Sequence, residues 1–109
     1  MKYEVGLKSS HLIIPAEISS QVLEGCSSVY VTYKEEIKTI LVSSKENAWF
    51  PKMHKSLEFI VKSKDLLGTK SVAIREILID HDIDDTDRVL QCSINKERNF
   101  LKIELPYFE

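Results

Sequence analysis

Apolar residues occupy every second position along much of the chain, which is the pattern of strands that bury one face. Tyr3, Val5 and Leu7 follow it near the start of the chain. Short runs rich in β-branched and aromatic residues indicate further strands. We predict strands at residues 2–7, 12–14, 29–33, 37–42, 58–64, 71–74, 89–94 and 100–105. The expected fold is therefore mainly β.

Two short helices are predicted between these strands. Pro15 ends the strand at 12–14 because it has no amide hydrogen for a ladder, and it suits the first turn of a helix. Apolar residues four apart then give residues 16–23 one buried face. Gly25 follows, and glycine readily takes the left-handed conformation that ends helices. A similar apolar pair predicts the second helix at 75–81.

Residues 43–57 form a connector in which the pattern is weakest. We expect a loop there that ends in a helical turn. The segment contains Trp49, Phe50, Pro51 and His54 in a basic context. Such aromatic clusters often plug one end of a small barrel, and the alternative is an exposed aromatic and basic patch for a nucleic acid or a protein.

The two halves of the chain have similar patterns. A shift of 60 residues superimposes apolar positions, and one inserted residue in the second hairpin extends the match. The chain is thus expected to be a single domain, 1–109, with repeat-like halves at 1–43 and 58–105 joined by the connector 44–57. The matched pairs include Leu12 with Val72, Ile14 with Ile74, Ile18 with Leu78, Val29 with Val89, Ile40 with Leu101, and Val42 with Ile103.

Residues 11–18, His-Leu-Ile-Ile-Pro-Ala-Glu-Ile, support a family resemblance. The stretch resembles the DNA-binding module of the AbrB transition-state regulators, whose signature is a basic residue, an apolar strand, Ile-Pro and an acidic-apolar helix start. Residues 71–105 are similar to a degenerate copy in which Arg75 stands where Pro15 stood. Two such units in one chain is the arrangement of MraZ-like proteins. The resemblance implies a swapped-hairpin, double-repeat β-barrel and a bacterial transcriptional regulator that binds duplex DNA.

The chain departs from that family at two places that bear on DNA contacts. DNA-binding members have Gly-Arg before the apolar strand, where this chain has Ser10 and His11. They often have arginines after the helix start, where this chain has Ser19 and Ser20. We therefore expect any DNA contact to come mainly from the middle of the chain.

Charge along the chain agrees with that choice. The net charge is −2, but residues 45–75 carry seven Lys and Arg against three Asp and Glu, and residues 76–109 carry four against nine. A basic segment indicates a surface that faces a polyanion. With only three arginines in the chain, we expect modest base specificity. The predicted DNA-contacting residues are His11, Lys62, Lys64, Lys70 and Arg75.

The main alternative is a non-catalytic protein-interaction module of the same fold that has lost DNA binding. Its partner surfaces would be the acidic tail, residues 76–109, and the region of Trp49. A second copy of the chain is a further candidate partner.

Other chemistry has weaker signals. The acidic cluster Asp80, His81, Asp82, Asp84, Asp85 and Asp87 has neither the glycine nor the closing glutamate of a calcium loop, so we expect a solvated loop and no metal. The three histidines lie in different segments without an acid, base and nucleophile set, so we expect no enzyme and no cofactor. Two cysteines without a secretory signal are expected to be reduced thiols in the cytoplasm, with Cys92 buried in a strand. No apolar run is long enough to cross a membrane.

Overall fold

The computed structural model describes residues 2–23 and 25–105. The fold is mainly β with short helices, which confirms the prediction from the alternating pattern. Its strands are Lys2–Lys8 (β1), His11–Ile14 (β2), Ser28–Lys34 (β3), Thr39–Ser44 (β4), Leu57–Ser63 (β5), Lys70–Ala73 (β6), Arg88–Asn95 (β7) and Phe100–Glu104 (β8). Its helices are Ala16–Val22 (α1), Trp49–Met53 (α2) and Arg75–Asp80 (α3).

The eight strands form a closed barrel in the order β1-β2-β6-β5-β3-β4-β8-β7, and every neighbouring pair is antiparallel. Because side chains alternate between the two faces of a strand, every second residue enters the barrel. In β1, Val5 and Leu7 are buried while Glu4 lies outside. The largest fully buried interior side chains are Leu7, Leu12, Ile14, Ile18, Leu23, Ile40, Ile74, Leu90, Leu101 and Ile103.

The hairpins from the two halves alternate around the barrel. The β1–β2 hairpin lies between β7 and β6, and the β3–β4 hairpin lies between β5 and β8. The two contacts between equivalent strands are centred on Leu12 opposite Val72 and on Leu41 opposite Lys102. The members of these pairs are 60 and 61 residues apart in the chain. Exchanging β1 with β5, β2 with β6, β3 with β7 and β4 with β8 gives the same order of strands around the barrel. Neither half pairs its own two hairpins with each other, and each therefore needs the other to complete the sheet.

The first and third helices lie at opposite ends of the barrel. Ile14, which precedes α1, pairs with Lys70, while Ala73, which precedes α3, pairs with His11. We call these ends the α1 end and the α3 end. Each helix buries apolar side chains of its inner face, namely Ile18 and Val22 in α1 and Ile77 and Leu78 in α3. None of the helices in the described part of the chain has the length and apolar character of a membrane span.

The second helix covers the outer wall of the barrel. Ile40 and Val42 point inward, so Leu41 between them points outward, where it forms a separate buried cluster with Phe50 and Phe100. The prediction of a packing role is confirmed for Phe50, which is fully buried. The predicted location at one end of the barrel is wrong, because the cluster lies on the outer face of β4 and β8.

One predicted strand is shifted by two residues, whereas the other strands agree with their predictions to within one residue at each end. The sequence predicts a strand at 37–42, but β4 begins at Thr39 and ends at Ser44. Lys38 has a positive φ of 51° at the end of a 3₁₀ turn, so the chain reverses there and leaves Ile37 52% exposed. At the other end, Ser43 and Ser44 are buried and continue the strand despite their hydroxyl groups.

Candidate nucleic-acid interface

Three of the five predicted contact residues lie on the β5–β6 hairpin. Lys62 is on the outer face of β5 and pairs with Ser71, and Lys64 follows the end of that strand. Both side chains are exposed. Lys70 begins β6 opposite Ser63, is half-buried, and donates a hydrogen bond from Nζ to the Ser63 hydroxyl at 3.1 Å. The hairpin thus gathers three positive charges near the α1 end of the barrel.

The other two predicted residues lie toward the α3 end. Arg75 begins α3 and is exposed. His11 begins β2 opposite Ala73, and its Nδ1 lies 2.8 Å from the carbonyl of Ser9. Because β6 rises about 3.3 Å per residue, the backbone of Ala73 is about 10 Å from that of Lys70. The five predicted residues therefore form two groups, one near the α1 end of the barrel and one toward the α3 end.

A shallow groove of about 370 Å³ connects His11 to Lys62 across β2, β6 and β5. The middle strand presents only Ser71 and Ala73 to the outside, and these small side chains leave a depression between the larger ones at either side. Ile60, 69% exposed, lies along the same groove. This groove was not predictable from the sequence, because it depends on which strands are neighbours in the barrel.

Lys62 and Lys64 form no ion pair with the described part of the chain. Among residues 2–23 and 25–105, no carboxylate forms an ion pair with either side chain. By contrast, Lys45 is paired with Glu58 at 3.0 Å, and Arg88 lies 3.9 Å from Asp84. Unpaired exposed ammonium groups are the kind that phosphates bind, since binding there breaks no internal ion pair.

The loop between β5 and β6 is held in one conformation by several hydrogen bonds. The Lys64 amide donates to the carbonyl of Thr69 at 2.8 Å. Asp65 Oδ1 accepts hydrogen bonds from the amides of Leu67 at 2.9 Å and Thr69 at 3.2 Å. These hydrogen bonds, with that of Thr69 the largest cause, lower the pKa of Asp65 below its ordinary value. These bonds order the backbone of the loop.

The α3 end of the barrel is acidic. Asp84 accepts hydrogen bonds from the hydroxyl and amide of Thr86 at 2.6 and 3.0 Å, and these bonds lower its pKa, as does Arg88 more weakly. Asp87 accepts a bond from the Ser9 amide at 2.9 Å. No set of three His, Cys, Asp or Glu side chains in the described ranges is arranged to hold a metal ion. Arg75 shares a groove with Asp82, Asp84 and Asp85, so its surroundings are acidic.

No protein-family model, curated protein or solved structure matches this chain. The resemblance to the AbrB and MraZ-like proteins thus stays a prediction from the motif and from the repeat.

Proposed function

We propose that the protein binds duplex DNA through the β5–β6 hairpin, with Lys62, Lys64 and Lys70 contacting phosphates. The observation that carries the proposal is the separation of charge. Two exposed lysines that pair with no carboxylate among residues 2–23 and 25–105 lie near the α1 end, while the acidic segment 80–87 lies at the α3 end. A DNA duplex at the hairpin is attracted by the lysines, and the carboxylate closest to it is that of Asp65, while those of residues 80–87 lie at the other end of the barrel.

The arginines favour phosphate contacts over base recognition. Arg88 donates to the carbonyls of Asp84 and Thr86 at 2.8 and 2.9 Å, and the Arg98 guanidinium lies over the Trp49 ring at 4.8 Å. Arg75 is near the acidic end. None of the three arginines belongs to the hairpin, and bidentate arginine is the commonest reader of guanine. The proposed binding is therefore weakly dependent on sequence.

The alternation of hairpins supports the finer identity that the motif suggests. We infer a swapped-hairpin, double-repeat barrel of the AbrB and MraZ-like kind, because each hairpin is flanked on both sides by hairpins of the other half. A role as a bacterial, cytoplasmic transcriptional regulator follows from the same resemblance. His11 would take the place of the family's basic residue at the start of the strand, at the far side of the groove from Lys62.

The test is binding to random-sequence duplex DNA at two salt concentrations, followed by fluorescence anisotropy. Three phosphate contacts predict a slope of log K against log salt of about −2.7. The Lys62→Gln, Lys64→Gln double variant should bind more weakly on every sequence, with a slope of about −0.9. Both side chains are exposed, so the variant is expected to fold normally.

A matched control removes two lysines at the acidic end. Lys34 and Lys55 line a groove with Asp80 and His81, so Lys34→Gln, Lys55→Gln changes the net charge equally without touching the hairpin. It should bind DNA as the wild type does. Equal losses in both double variants would show only a net-charge effect. Absence of binding at low salt would overturn the proposal and favour the protein-interaction alternative.

A further inference from the structure

The two halves differ most in the loop that closes their first hairpin. Ser9 and Ser10, with positive φ angles of 50° and 65°, join β1 to β2 in a two-residue turn. The equivalent connection between β5 and β6 has six residues, 64–69. At its tip, Leu66 is fully exposed and Leu67 is 81% exposed. Neither leucine belongs to the core clusters of the described residues.

The backbone on both sides of the leucines is hydrogen-bonded, to α1 on one side and within the loop on the other. Gly68 has a φ of 103°, and a Cβ there would lie 3.2 Å from Cβ of Ala16. The hydroxyl of Ser19 donates to the Gly68 carbonyl at 2.7 Å. On the other side of the tip, Asp65 Oδ1 accepts hydrogen bonds from the amides of Leu67 and Thr69, which link the two sides of the loop backbone. A loop whose backbone is already ordered loses less entropy on binding.

We propose that Leu66 and Leu67 form an apolar wedge that enters the minor groove of duplex DNA and partly unstacks a base step. The inference rests on the proposed function, because Lys62, Lys64 and Lys70 would hold the phosphates beside the inserted side chains. Leucine is one of the residues that proteins insert between base steps, which bends the duplex toward the major groove. The hairpin brings together both required elements, an apolar tip and the lysines of the strands next to it.

The size of the tip favours DNA over a lipid surface. Even one myristoyl chain gives only marginal membrane binding, and two leucines bury less apolar surface than that chain. One or two side chains are sufficient for a DNA wedge, since the rest of the affinity comes from phosphates. The absence of arginines from the hairpin agrees with recognition by deformability. Flexible pyrimidine–purine steps and mismatched pairs should therefore be preferred.

The experiment measures binding and bending separately on the full chain. A duplex of about 25 base pairs with a donor and an acceptor dye at its ends reports bending by energy transfer, and anisotropy reports binding. Wild-type protein should increase energy transfer and should bind a duplex with a central mismatch at least about tenfold more tightly than a perfect one. Leu66→Ser, Leu67→Ser should still bind, with an unchanged salt slope, but should lose both effects.

The control replaces two exposed apolar residues elsewhere, as Ile79→Ser, Val89→Ser, which are 65% and 62% exposed in the wild type. It should bend DNA as the wild type does. Binding without any change in energy transfer would overturn the wedge and leave the proposed function intact. Absence of DNA binding at low salt would overturn both. Binding to vesicles with anionic headgroups that is lost in the leucine variant, without bending of DNA, would assign the tip to a membrane surface instead.

Discussion

The hydroxyl of Ser19 donates a hydrogen bond to the carbonyl of Gly68, 2.7 Å away and 49 residues later in the chain. Ser19 lies in α1 and is only 3% exposed, so this bond ties the first half of the barrel to the loop of the second hairpin. The serine that stands where the resembled family often has an arginine thus has a structural role.

We predict that Ser19→Ala lowers the free energy of unfolding by about 1 kcal/mol, because the Gly68 carbonyl loses its partner at a site shielded from water. The measurement is the urea midpoint at constant m-value. Ser20→Ala, at the neighbouring exposed position, is the control and should leave the midpoint within experimental error. Equal shifts in the two variants would mean that the bond contributes nothing.

Gly68→Ala should destabilise the protein more than Gly25→Ala. At Gly68 the new Cβ would lie 3.2 Å from Cβ of Ala16, and the φ of 103° is unfavourable for any L side chain. We expect a loss of about 2 to 3 kcal/mol there. At Gly25, with φ of 72° and open space around the new atom, the expected loss is about 1 kcal/mol. Thermal unfolding of both variants checks the order, and the reverse order would contradict the close approach of the loop to α1.

The regular elements were predictable because their pattern is local. The helix predicted at 75–81 is Arg75–Asp80, and the strand predicted at 100–105 is Phe100–Glu104. The shift of 60 residues also has a counterpart in space, since Leu12 lies opposite Val72. Alternation identifies a buried face without reference to the rest of the fold. Where the chain reverses at Lys38, a backbone angle decides the boundary, and the sequence pattern does not contain it.

The location of the complete candidate site could not be predicted without the fold. Lys62, Lys64 and Lys70 are within nine residues of one another and joined by a hairpin, so local order is enough to bring them together. Arg75 is separated from Lys70 by the length of β6, and its acidic neighbours come from the segment after α3. The exposure of Leu66 and Leu67 was not predictable either, because adjacent leucines usually indicate burial, whereas these two lie at the tip of the loop between β5 and β6.

Phe50→Ala should be among the most destabilising substitutions on the outside of the barrel. Phe50 is fully buried, and its ring centroid lies 5.7 Å from that of Phe100 and 5.0 Å from that of His54. Removing the ring leaves a cavity between α2 and the outer wall, and we expect a loss of about 3 to 4 kcal/mol. Guanidinium unfolding gives the value. Met53→Ala, on the same helix but 59% exposed, should change the stability by less than about 0.5 kcal/mol.

The two thiols should react at different rates. Burial raises the pKa of Cys92 to about 11, and Cys92 has no exposed surface. Burial also raises the pKa of Cys26, but that side chain is only half-buried, and its hydrogen bond with Ser44 opposes the increase. At about pH 8 we expect a disulfide reagent to modify one thiol of the native protein quickly and the second only when the protein unfolds, since thiolate and access are both required. Cys26→Ser should abolish the fast phase, and its persistence would contradict the burial of Cys92.

The carboxyl of Asp65 should titrate below its ordinary pKa of 3.8, because the amides of Thr69 and Leu67 donate to its charged form. A pKa lowered on folding means that the folded chain binds this proton more weakly than the unfolded chain does. The resulting stabilisation is complete above the ordinary value and is lost as pH falls through the folded pKa. The carboxyl carbon shift during an acid titration gives the folded pKa directly. The urea midpoint should fall on going from about pH 5 to about pH 2, and Asp65→Asn should make that decrease smaller.

The control is Asp85→Asn, which removes a charge from the acidic α3 end. It should leave the Asp65 titration unchanged. An Asp65 titration at or above 3.8 would show that the two amides do not hold the carboxylate in solution, and the backbone beside the leucines would then lack one of its two supports.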